Sequence, residues 1–405
     1  MERLTEILLM LYAFAVPWEY AFDLGEPVGN AARIVGVLLL LAVVPLMLLR
    51  RQMRAPGAMQ WLVLALGIYF SCSYLWTIDP QTTLDKMRAY FQVMMVVWIA
   101  WEVAETPGHL RWLLRAFVGG CWVLAGLTVL SYLSAGAPEI ERIRFVAEGM
   151  DPNDVARFLD FGFPLATLLF ATEEQWLVRL LAIGYVPVGL MAVLLTASRG
   201  GFSAGLAALL GSAILLVSWR PRAASAVFAG LTVTAGAIFL FIPGESLARL
   251  ATIPQEVGGG DLNDRLNIWR AGWHAFAGAP WWGYGAGTYT TAAGLAPGDT
   301  AHNTVMAVLV TGGVAGLTIF VATVVAAVWA VARTTGLLRI ALGTALAVWG
   351  ITSMVGSVEE NRTTWLLFGV IAVAGRLAVE RSAVLARAFS GTGSEEPAAQ
   401  LYPVR

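Results

Sequence analysis

The chain has 405 residues, 58% hydrophobic and only 13% charged, with a mean hydropathy of +0.71 and a formal net charge of −1. Soluble domains run at roughly 45–50% apolar and about 25% charged, so a water-soluble globular fold is excluded and lipid must solvate most of the sequence. The near-neutral balance also argues against a nucleic-acid partner.

Arginine supplies 25 of the 26 basic residues, with Lys86 the exception. Such a bias reads first as genome composition and second as a preference for a planar fork that suits phosphate. Cys72 and Cys121 both fall in apolar runs, away from any metal-ligand spacing, and read as small core residues.

A helix needs about 20 apolar residues to cross a bilayer. Twelve such stretches follow in order, at about 5–21, 34–49, 58–76, 89–104, 112–134, 154–171, 177–196, 202–218, 223–242, 304–332, 340–356 and 363–378. Ala13-Phe14-Ala15 faintly mimics a signal-peptidase site. Acidic Glu2 and Glu6 beside Arg3, together with the topology, keep that stretch as an uncleaved span. The span at 304–332 is long enough to tilt or to kink at Gly312-Gly313. Residues 1–387 therefore read as a single transmembrane domain, all-α and polytopic. The tail 388–405, "AFSGTGSEEPAAQLYPVR", reads as disordered and cytoplasmic.

The connecting loops sort by charge. Arg50, Arg51, Arg54, Arg111, Arg115, Arg179, Arg220, Arg222, Arg333 and Arg339 gather in one set, which the positive-inside tendency assigns to the cytoplasm along with both termini. The outer set, richer in acids, amides, Gly and Pro, comprises about 19–33, 77–88, 135–153, the "SRGG" turn, the long loop 243–303, and 357–362. Arg199, in "LLTASRGGFSAGL", thus lies on the outer face, where topology does not call for positive charge.

Three further polar segments share that face. "RIRFVAEGMDPNDVARF" (142–158) offers Asp151, Asn153 or Asp154 as a helix cap and adds Arg142, Arg144 and Arg157. In "DLNDRLNIWRAGWHAFAGAPWWGYGAGTY" (261–289), Asp261 or Asn263 can cap a helix ending near Ala277. Leu262, Leu266, Trp269, Trp273 and Phe276 then form one face, which predicts an amphipathic helix at the membrane interface. Arg265 borders that face, while Arg270 and His274 point toward water. The third segment, "GDTAHNTVMAVLVTGGVAGL" (298–317), puts His302 and Asn303 at the start of the tenth span. Capping is the plain explanation of such residues, but ionisable groups at a membrane boundary rank as functional candidates.

Arginines that can grip a phosphate and a histidine that can accept a proton fit chemistry on a phosphorylated substrate. The sequence has no CxxC, HExxH, Walker A or DxD pattern, so neither metal nor nucleotide chemistry has its usual residues.

The pieces "FVAEGMDPNDVARFLDFGFPLA", "LLTASRGGFSAGL", "DRLNIWRAGWHAFAGAPWWGYGAGTY" and "AHNTVMAVLVTGGVAGL", in that order over about 140–320, resemble the O-antigen ligase and O-antigen polymerase superfamily of bacterial membrane glycosyltransferases. The resemblance implies a GT-C-like fold in the bacterial inner membrane with its active site facing the periplasm. It implies an undecaprenyl-diphosphate-linked glycan as donor, the lipid A core as acceptor in the ligase branch, and inversion without metal or other cofactor. Arg199 and Arg265 would bind the diphosphate, and His302 would be the base that deprotonates or places the acceptor hydroxyl. Where the family often carries a glutamate this chain has Thr311, which leaves Glu359 or Glu360 to substitute; Asp23 and Glu26 in the first outer loop are rivals for the base.

Two alternatives remain. One is a polymerase of the same superfamily, whose acceptor is another lipid-linked repeat. The other is a flippase or transporter of lipid-linked glycans, which would place polar residues at the midplane and show inverted repeats. Here the polar groups collect at one face.

Overall fold

A computed structural model describes residues 1–25, 28–135, 144–259, 264–296 and 298–389. The helices, in chain order, are α1 (Glu2–Ala15), α2 (Ala31–Arg50), α3 (Ala58–Cys72), α4 (Pro80–Val103), α5 (Pro107–Ser134), α6 (Pro152–Thr172), α7 (Trp176–Leu195) and α8 (Arg199–Trp219). They continue with α9 (Pro221–Phe239), α10 (Gly244–Ala251), α11 (Ile253–Gly259), α12 (Arg265–Gly278), α13 (Tyr289–Ala292), α14 (Thr304–Arg333), α15 (Gly336–Ser353) and α16 (Arg362–Phe389). Among the described residues the one β pairing is an isolated bridge between Asp23 and Asn30.

Each of the twelve expected spans coincides with a helix, but nine of the described helices are long and apolar enough to cross a membrane by themselves. The other three fall short for different reasons. Helix α1 has 14 residues, about 21 Å at 1.5 Å per residue, and continues only as a 3₁₀ turn over Val16–Ala21. Four charged residues (Asp85, Lys86, Arg88 and Glu102) interrupt α4. Helix α9 qualifies only as a broken span, Ala224–Phe239 being bent by 112° from Gly244–Glu256. Apolar stripes such as Leu206, Leu210, Ile214 and Val217 on α8 face outward, as a membrane protein requires.

Helix α6 is the centre of the bundle, buried continuously from Val155 to Leu169. It approaches α8 closely because the facing residues are small. A Cβ on Gly201 would fall 2.2 Å from Cβ of Ala156, and one on Gly205 2.8 Å from Oδ1 of Asp160. With Ala204 and Ala208 these glycines form two overlapping small-xxx-small pairs, the usual device for drawing membrane helices together.

Side-chain caps fix where helices start at one end of the bundle. Asn30, Asp79, Asp151, Ser198 and Asn303 accept from backbone N–H groups at the starts of α2, α4, α6, α8 and α14. The positive ends of five helix dipoles therefore share one face. At the opposite end lie the ion pairs of Arg50 with Glu2 and Glu105 and of Arg115 with Glu173.

The kink expected at Gly312-Gly313 occurs at Gly313, with φ 60°. The segment 280–285 repairs the break. Val314 and Ala315 donate to the carbonyls of Pro280 and Trp281, while those of Val310 and Thr311 accept from Tyr284 and Gly285. Backbone groups freed inside a membrane helix need such partners. Here the repair anchors the long polar loop to α14.

Candidate active site

Ser198 caps α8 with its Oγ 3.1 Å from the Gly201 nitrogen, so Arg199 is the first residue of that helix and not part of a turn beyond it. Asn153, near the start of α6, bonds Ser198 Oγ through Oδ1 at 2.7 Å, tying the two helix starts together. Beside this junction is a cavity of about 170 Å³ lined by Arg144, Arg199, Arg249, Arg265, Asn153 and Glu256, among others. Its four guanidinium groups come from the loop before α6 and from α8, α10 and α12.

Arg199 Nη1 lies 2.5 Å from Glu256 Oε1 and donates to Thr252 Oγ1 at 3.1 Å. Arg144 donates to the Thr196 carbonyl and to Asn153 Oδ1, and Arg249 donates to the Ala197 carbonyl. Among the described residues no carboxylate lies within ion-pair distance of Arg265. Burial, followed by the charge of Arg199, pushes the Arg265 guanidinium below its ordinary pKa; burial and Arg249 do the same to Arg144. Among the described residues that line the pocket, four arginines face one carboxylate, Glu256.

A second cavity, of about 410 Å³, adjoins the first through the shared lining residues Asn153 and Val355. Its walls carry His302, Glu359, Glu360, Lys86, Tyr289 and Thr311. Burial, and then the charge of Arg265, holds His302 below the usual histidine pKa, so the imidazole is neutral and able to accept a proton. Glu359 is only 4% exposed and its Oε2 has no hydrogen-bond partner. Burial, reinforced by Glu360, pushes its carboxyl up to about 8. Glu360 pairs with Lys86. Thr311 therefore shares a cavity with both glutamates that were expected to take over the role missing at its position.

Backbone strain concentrates here. Four non-glycine residues among those described have left-handed φ, and three belong to the site: Ala197 (48°) just before the Ser198 cap, Asp264 (64°) before Arg265, and His302 itself (45°). Such conformations persist where the surroundings enforce them, often at functional sites.

Residues 185–321 match the O-antigen ligase family. The chain carries an O-antigen ligase domain. The match covers part of the chain and supports a membrane enzyme of the O-antigen ligase or polymerase type. No curated protein matches the chain. The matched interval of this ligase domain contains Arg199, Arg249, Glu256, Arg265, His302 and Thr311; Lys86, Arg144, Asn153 and Glu359 come from outside it.

The remaining candidates separate. Arg157 is buried, 2.9 Å from Asp154 and over the Phe158 ring, so it braces the start of α6. Asn303 caps α14 at the Met306 nitrogen and donates to the Met354 carbonyl. Asp23 is exposed, accepts from the Gly25 nitrogen in a local turn and lines neither cavity. Arg142 and Glu26 lie outside the described residues, as do Asp261 and Asn263 and, in the tail, 390–405; residues 388–389 end α16.

The loop helix is α12, and the face it buries against the protein is Ile268, Gly272 and Ala275. Tyr289 holds that face in place. Its hydroxyl donates to the Ile268 carbonyl at 2.9 Å, and its ring occupies the space a Cβ on Gly272 would need. Trp273 is 58% exposed, and Arg270 and His274 are exposed as expected.

Sequence reasoning missed Arg249, Glu256 and Lys86. The isolated lysine of an arginine-rich chain was a signal for the last. Arg249 and Glu256 sit on helices of 8 and 7 residues, too short to be read from periodicity.

Proposed function

We propose that this protein is a GT-C-like glycosyltransferase of the bacterial inner membrane that moves a glycan from undecaprenyl diphosphate to a sugar hydroxyl of the lipid A core. Both termini are cytoplasmic and the site faces the periplasm, a reading supported by the basic loops at the opposite end of the bundle. The observation that carries the function is the junction of the two cavities at Asn153 and Val355, which sets an arginine-lined anion site beside a cavity holding a neutral histidine.

In this reading Arg199, Arg265, Arg144 and Arg249 hold the diphosphate and stabilise the charge that grows on it as the glycosidic bond breaks. The acceptor oxygen attacks the anomeric carbon from the opposite side and inverts it. The C–O bond to phosphate breaks with its electron pair, and the acceptor proton passes to His302. No step calls on a metal or a nucleotide.

The test offers the purified full-length protein an undecaprenyl-diphosphate glycan with lipid A core or with a second lipid-linked repeat, in EDTA, with His302→Ala in parallel. A single addition to lipid A core, lost in the variant, supports the ligase. Chains of increasing length on the lipid carrier would make it a polymerase. No transfer to either acceptor by folded protein would refute the reading and return the flippase.

A further inference from the structure

The arginine pocket already contains an anion of its own. Among the described residues Glu256 is the one carboxylate lining it, and it meets Arg199 Nη1 at 2.5 Å, with Thr252 Oγ1 as a second ligand on the same nitrogen. Neither charged side chain is fully sequestered, at 16% exposed for Arg199 and 23% for Glu256. Both Glu256 and Thr252 come from the short α10–α11 segment, bent sharply from α9, and not from the close-packed α6–α8 pair that fixes Arg199. The carboxylate thus reaches the cluster from a different segment than the one that carries Arg199.

We propose that Glu256 is a resident counter-anion for Arg199, displaced by the donor's diphosphate and returning to drive release of the spent carrier. The inference rests on the reading of this pocket as a diphosphate site. A diphosphate diester brings about two negative charges. After transfer, its terminal phosphate becomes a monoester with a second ionisation near pH 6, so the leaving carrier is more highly charged than the donor. A pocket of four arginines alone would hold that product more tightly than the substrate. A carboxylate that competes for Arg199 weakens both complexes and so speeds turnover, since uniformly tight binding does not raise the rate. Glu256 is in this sense a positioning and release residue, with no contact to the reacting atoms.

The experiment titrates inorganic pyrophosphate into the full-length protein in detergent by calorimetry, comparing the parent with Glu256→Gln, Glu256→Ala, Glu256→Asp and Arg199→Gln. Removing a partly exposed competing carboxylate should tighten pyrophosphate binding roughly tenfold in the Gln and Ala variants. Glu256→Asp, which keeps the charge, should stay close to the parent, a recovery that a purely structural role would not predict. Equal or weaker binding in the neutral variants, with binding lost in Arg199→Gln, would overturn the counter-anion and leave the diphosphate site standing. Absence of pyrophosphate binding in the parent and every variant would overturn both. Unfolding of both neutral variants, read by melting, would make the pair a structural tie and also overturn the proposal.

Discussion

Glu359→Gln should make the protein more stable, and increasingly so as pH rises. The carboxyl is 4% exposed, its Oε2 has no hydrogen-bond partner, and its pKa is raised from 4.5 to about 8. The folded chain therefore holds a proton that the unfolded chain releases, and stability falls as pH climbs from 4.5 through about 8. At about 1.4 kcal/mol for each tenfold change in proton affinity, the loss at alkaline pH is roughly 5 kcal/mol as an upper bound. Glutamine has nearly the same shape and no charge to desolvate, so the penalty disappears with it. Tryptophan-fluorescence melting in detergent, from pH 5 to pH 9, checks this. The two proteins should melt together near pH 5 and separate steadily above pH 6, with the variant higher. Parallel curves, or a variant less stable at pH 9, would mean that Glu359 has a partner or is hydrated, and the reasoning would fail. The same variant should lose transfer activity if the carboxyl is kept in the cavity for chemistry.

Other outcomes follow from the same geometry. Arg199→Ala and Arg265→Ala should keep the protein folded yet lower kcat/KM for transfer at least about thirtyfold, the cost of removing a charged hydrogen-bond partner from a diphosphate; full activity in either would remove that residue from the mechanism. His302 should give the pH profile of kcat/KM an acidic limb below the ordinary histidine value of about 6.5. Because the Arg265 charge helps to lower it, that limb should move upward in the residual activity of Arg265→Ala; an unmoved limb would separate the two groups. Arg157→Leu should destabilise the fold by roughly 2–3 kcal/mol, less than a fully buried pair because Asp154 is 31% exposed, and calorimetric melting would detect it.

The elements that carry the most apolar sequence were also the most legible. A membrane helix satisfies its own backbone, so length and hydropathy are sufficient to place α5, α7, α8 and α14, and the Gly312-Gly313 pair was enough to locate the kink. Charge in the loops was enough to gather Arg199, Arg265 and His302 on one face, because helices that cross a bilayer must alternate in direction. Capping chemistry narrowed the start of α6 to Asp151, Asn153 or Asp154 and that of α14 to His302-Asn303; the caps are Asp151 and Asn303.

Tertiary packing decided what no local pattern encodes. Asp23 and Glu359 are both acids in outer loops, yet one closes a solvent-exposed turn and the other is buried beside His302, a difference set by helices far apart in the chain. The sequence placed the tryptophan stripe of α12 at the membrane interface, while the face that packs on the protein is Ile268, Gly272 and Ala275, with the Tyr289 ring against Gly272. Sequence by itself determined that the chain is a multi-helix membrane protein with a polar, arginine-bearing face, because those properties follow from composition and order. Only the folded structure decided that Arg249 and Glu256 join Arg199, and that Lys86 and Glu360 meet across 274 residues of chain, because charge pairing and burial depend on proximity in space.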